Sequence, residues 1–129
     1  MKALNLDELL RRKQQGEEQK TRQAVIDIPG MDFALKFQKL PLYRFMTSID
    51  DMDKKTSAEQ LDVSVLLIYE SCPDFQRKEM IEGMAEPTDV VLAVFDNRVK
   101  VIMETGREII KEFYGNEDIE KDKTKLKNL

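Results

Sequence analysis

The stretch that decides the fold runs from Leu61 to Phe95, LDVSVLLIYESCPDFQRKEMIEGMAEPTDVVLAVF. Leu61, Val65, Ile68, Tyr69 and Cys72 recur at helical spacing, and Val63, Leu66 and Leu67 widen the apolar surface until little of the segment could face water. This reads as a central helix around which any core must assemble. Ser57 with Gln60 predicts a capping box at its start. Its end is set near Ser71, because the residue before a proline is pushed out of the α region, which places Cys72-Pro73 at a turn. Downstream, Asp74 caps a short predicted helix, FQRKEMIEGM, closed by Gly83, with Phe75, Met80 and Ile81 available to the core. Glu86-Pro87-Thr88-Asp89 then opens another helix carrying Val90, Val91, Leu92, Val94 and Phe95, and Asp96-Asn97 marks its break.

Working outward, the last periodic segment is Arg98 to Tyr114, with Val99, Ile102, Met103, Gly106, Ile109, Ile110 and Phe113 on one stripe and Gly115 just past its end. On the other side, Pro41 starts a helix LYRFMTSIDDMD in which Leu42, Phe45, Met46 and Ile49 share a face. Ahead of it lies the β signal. Ala24, Ile26 and Ile28 alternate with Gln23, Val25 and Asp27, and Phe33, Leu35 and Phe37 alternate with Asp32, Ala34, Lys36 and Gln38. Pro29-Gly30 suits the centre of a type II turn, whose twist opposes a tight two-residue hairpin, so a longer connection is expected. The fold class is therefore α+β: an N-terminal β-hairpin packed on a bundle of about five helices, with flexible charged ends. Residues 23–115 form the single domain, residues 1–22 an amphipathic arm, and residues 116–129 a charged, mostly disordered tail.

Within the arm, Asn5 caps a short helix to Lys13 that places Leu6, Leu9 and Leu10 on one face. From Gln14 to Arg22 no large apolar side chain follows, which predicts a mobile or fraying extension. Leu6, Leu9 and Leu10 read either as a docking face for a partner's groove or as residues that pack on their own domain or fray.

Composition removes several function classes. A chain of 129 residues suits one domain, and its 41% apolar and 36% charged residues describe a folded chain with an ionic surface. A net charge of −4 opposes a role in neutralising phosphates, so no nucleic-acid partner is expected. No apolar run reaches the ~18 residues of a membrane span, and MKALNLDELLRRK lacks the pattern of a signal peptide; the expected compartment is the cytoplasm. With no histidine and a single cysteine, triads, Cys-His pairs and thiolate zinc sites are ruled out. Cys72 itself reads as an apolar plug at a helix end. The five glycines are too scattered for a phosphate loop, and Asp50, Asp51 and Asp53 lack the glycine and terminal glutamate of a calcium loop. No catalytic residue, cofactor or metal ligand is assigned, and the expectation is a non-enzyme; only a carboxylate metal site or a glycosidase-like carboxylate pair stays formally open.

The order LDELLRRK, IDIPGMDFALKF, LIYESCPDF, EPTDVVLAVF and IIKEFYG, spanning Leu4 to Gly115, resembles the phage tail assembly chaperone family of tailed phages and of defective prophages in Gram-positive bacteria. That resemblance implies a non-enzymatic protein that holds the hydrophobic tape-measure protein soluble while tail-tube subunits polymerise around it, and that is absent from the finished virion. It makes the tape-measure protein the expected partner, with the tail-tube protein and a second copy of the chain as further candidates. In relatives a longer form arises by ribosomal frameshifting. The alternative reading is a structural tail or connector component, or a general protein–protein adaptor.

Overall fold

A computed structural model describes residues 1–115 of the chain. It is an α+β fold: helix α1 (Leu6–Gln19), a hairpin of β1 (Gln23–Asp27) and β2 (Ala34–Gln38), then α2 (Leu42–Ile49), α3 (Ser57–Ser71), α4 (Lys78–Ile81), α5 (Asp89–Val94) and α6 (Val99–Tyr114). The tail expected at 116–129 lies outside the described residues.

The hairpin is antiparallel, with Ala24 opposite Phe37 and Ile26 opposite Leu35. A period of two puts Ile26, Ile28 and Phe37 into the core and leaves Val25 exposed on the outer face. Between the strands, the Met31 N–H donates to the Ile28 carbonyl and the Ile28 N–H to that of Phe33, at 3.1 Å each. Pro29-Gly30 thus centres a turn inside a longer connection, and Gly30 has the positive φ of 76° that this turn needs.

The core collects on α3 and α6, which pack side by side and carry Val65, Leu67 and Ile68 from one helix and Ile102, Ile109 and Phe113 from the other. Close approach is possible because small residues face each other: a Cβ on Gly106 would stand 3.3 Å from the Ser64 hydroxyl oxygen. The hairpin supplies Phe37, α2 supplies Phe45, and α5 supplies Val90 and Val91, with Phe95 at its end. Phe45 stacks on Tyr114 at 3.7 Å between ring centroids, and Phe75 meets Phe95 edge-on at 6.4 Å. Tyr114 also clasps the exit of β2: its hydroxyl accepts from the Leu40 N–H at 2.9 Å and donates to the Leu40 carbonyl at 3.2 Å. Burial moves the Tyr114 hydroxyl above its ordinary pKa, against a smaller downward pull from the Leu40 N–H.

Four local expectations are corrected. The capping box of α3 is Thr56 with Glu59, one residue earlier than Ser57 with Gln60: the Thr56 hydroxyl accepts from the Glu59 N–H at 3.2 Å and the Glu59 carboxylate from the Thr56 N–H at 3.1 Å. A charged acceptor makes the stronger cap. The helix expected after Asp74 is broken into a 3₁₀ turn, Pro73–Gln76, and the single turn of α4, with Arg77 extended between them. Gln76 explains the break. Its amide donates to the carbonyls of Tyr69 and Glu70 at 3.0 and 3.1 Å, satisfying the end of α3 and holding the chain folded back on it. On α2 the predicted face splits: Phe45 is buried and Ile49 partly so, while Leu42 and Met46 are exposed together with Tyr43. Phe45 and Ile49 turn to the core, and Arg44 on the same helix is hydrogen-bonded to Glu70 of α3. Finally, α1 does not fade at Lys13 but continues to Gln19. Gln, Glu and Lys are good helix formers without apolar contacts, and Asn5 caps the start by accepting from the Glu8 N–H at 2.9 Å.

The end of α5 behaves as its sequence implies. Asp96 and Asn97 adopt φ of 54° and 56°, a region their short polar side chains tolerate, and the Asn97 N–H returns to the Leu92 carbonyl at 2.8 Å.

Candidate functional site

Besides the exposed Leu42, Tyr43 and Met46 of α2, two further apolar surfaces lie outside the packed core. The first is the arm. None of the residues of α1 is buried, and Leu6, Leu9 and Leu10 are 69%, 50% and 52% exposed. They sit at i, i+3 and i+4, so they form one continuous row along the helix. The row is flanked by Asp7 and Glu8 toward its start and by Arg11, Arg12 and Lys13 just beyond it. At its base the arm is fixed to the domain. The Arg22 guanidinium lies 5.0 Å over the Phe113 ring, pairs with the Glu112 carboxylate at 2.9 Å and also donates to the Glu112 carbonyl. A cation at the last carbonyls of α6 is favoured by the helix dipole.

The second surface is a groove of about 480 Å3 between the end of α2, α3 and α6. Val63 and Leu67 of α3 and Met103 and Ile110 of α6 line one part of it; Ile49 and Met52 form the opposite wall. Between them Gly106 lies close against Ser64, whose hydroxyl bonds the Met103 sulfur at 3.3 Å. The Met52 wall is a 3₁₀ turn, Met52–Lys54, pinned by the Gln60 amide, which donates to the carbonyls of Met52 and Lys55 at 3.1 and 3.2 Å. Asp53 stands on this wall and Arg107 on α6. Such a lining offers apolar contact beside two charges, and it brings together no nucleophile and base.

Titration behaviour elsewhere has structural causes. Burial pushes the Cys72 thiol up, which keeps it protonated and unreactive at neutral pH. The Thr56 backbone and hydroxyl hold the Glu59 carboxyl below its usual range. The Arg44 guanidinium, hydrogen-bonded to Glu70 on α3, is raised. None of these groups lines the groove. Among the described residues no cluster of three or more His, Cys, Asp or Glu side chains could hold a metal ion. Asp51 instead adopts a left-handed backbone and approaches Lys54 at 3.9 Å. No helix among the described residues is long and apolar enough to cross a membrane.

The structure therefore places Leu6, Leu9 and Leu10 on an exposed helix, pointing at no residue of their own domain's core. Sequence reasoning missed the groove, whose only sequence signal is the small pair Ser64 and Gly106 on two stripes that otherwise carry large side chains. No family model, no curated protein and no solved structure matches this chain.

Proposed function

We propose that this chain is a phage or prophage tail assembly chaperone that holds an apolar tape-measure protein in solution while the tail tube assembles. One observation carries the reading: α1 keeps a whole leucine row unburied and contributes no residue to the core. An unpartnered amphipathic helix on a folded domain is the form that helix-in-groove recognition takes. Met52 and Met103 in the groove add adaptable contact surface for an apolar partner. The order of motifs from LDELLRRK to IIKEFYG points the same way, since it resembles this family.

Co-expression with the tape-measure protein of the same phage or prophage tests the reading. The chain is expected to move that protein from the insoluble to the soluble fraction and to be missing from purified mature tails. Stoichiometric presence in mature tails would identify a structural tail component instead.

A further inference from the structure

We infer that, in the absence of a partner, the arm is exchanged between copies: the Leu6, Leu9 and Leu10 row of one chain seats in the groove between α3 and α6 of a second. The first support is apolar balance. An isolated helix of 14 residues is marginal in water, and this one buries nothing on its own domain. The groove offers the matching surface, with Val63, Leu67, Met103 and Ile110 on one side and Ile49 and Met52 on the other.

The second support is charge. Along α1 the acids Asp7 and Glu8 precede the bases Arg11, Arg12 and Lys13, while the groove carries Arg107 on one wall and Asp53 on the other. An arm laid across the groove with its first turn toward Arg107 and its second toward Asp53 pairs both ends; the reverse direction repels at both. Charge thus selects one orientation as well as one site.

Direct pairing of two arms is disfavoured by sequence. The positions that would continue a seam after Leu10 are Lys13, Gly16 and Glu17, so the apolar row ends after little more than one turn. At about 1.5 Å per residue the arm is roughly 21 Å long, and one seated arm covers less than the roughly 800 Å2 per partner of a stable interface. Reciprocal exchange places two such contacts across a twofold axis and doubles the area. The expected species is accordingly a weak, concentration-dependent dimer. The inference does not rest on what the physiological partner is.

Sedimentation velocity on the full chain over a wide concentration range is the test. The wild type is expected to pass from monomer to dimer, and L9Q/L10Q, which leaves the core untouched, to stay monomeric throughout. Oxidative cross-linking then locates the contact, because the natural Cys72 is buried. A mixture of L9C and M103C chains should give the mixed disulfide dimer as its main product. A wild type that remains monomeric, a dimer that survives L9Q/L10Q, or L9C chains that cross-link only to each other would overturn the inference. So would an L9C/M103C double variant that closes its disulfide within a single chain.

Discussion

The helices α1 and α6 have similar lengths, 14 and 16 residues, and opposite fates. Helix α6 turns one face of Ile102, Thr105, Gly106, Ile109 and Phe113 inward and buries all of it. By contrast, α1 carries three leucines at helical spacing and buries none. Local propensity and a cap are enough to shape a helix, but only packing makes it part of the fold. Where a chain forms an amphipathic helix and then leaves it bare, the apolar face is available for recognition.

Substitutions along the two helices should sharpen this contrast, and the largest effect belongs to α6. Ile102→Ala removes a fully buried side chain between α3 and the rest of the core and should cost about 2–5 kcal/mol, measured as a fall in the urea midpoint. At the end of the same helix, Tyr114→Phe keeps the stack on Phe45 but leaves the Leu40 N–H and carbonyl without the hydroxyl, at a cost of roughly 1–3 kcal/mol. Its pH signature has a definite sign. A folded-state pKa raised above the unfolded value near ~10 means that stability is intact below that pH and is lost as pH rises through the folded value. The wild type should therefore lose stability on the alkaline side more steeply than the Phe variant, as followed by thermal melts above neutrality.

Smaller effects come from the cap of α3. Thr56→Ala should lower stability by about 1 kcal/mol. Because Glu59 titrates below its ordinary range, the capping contribution is present above the unfolded pKa and fades as pH falls through the folded one. The difference between wild type and Thr56→Ala should accordingly shrink in strong acid. Smallest of all, Leu6→Gln, Leu9→Gln and Leu10→Gln together should change the monomer's denaturation midpoint by less than about 0.5 kcal/mol, because they alter exposed positions at similar helix propensity. A large shift there would mean that the arm packs on its own domain.

Much of the core was legible because its elements obey simple periods. The hairpin follows from Ile26, Ile28 and Phe37 at a period of two, and α3 and α6 from stripes at 3.6. What escaped the sequence depends on tertiary partners. The break at Arg77 is set by Gln76 reaching back to the carbonyls of Tyr69 and Glu70, a contact that local propensity does not encode. The exposure of Leu42 and Met46 depends on which row of α2 turns to the core, and Phe45, stacked on Tyr114, sets it. The groove joins residues 49–67 to residues 103–110 of α6, distant in sequence, so no single pattern announces it. The leucine row of α1 was legible as an amphipathic face; that its own domain leaves it uncovered became visible only in three dimensions.

The proposed function assigns Leu6, Leu9 and Leu10 to recognition and not to folding. The most direct measurement is the soluble yield of the co-expressed tape-measure protein with the wild-type chain and with the L6Q/L9Q/L10Q variant, both chains being produced at equal level. Loss of the soluble partner with a fully folded variant is the predicted result; an unchanged yield would contradict it.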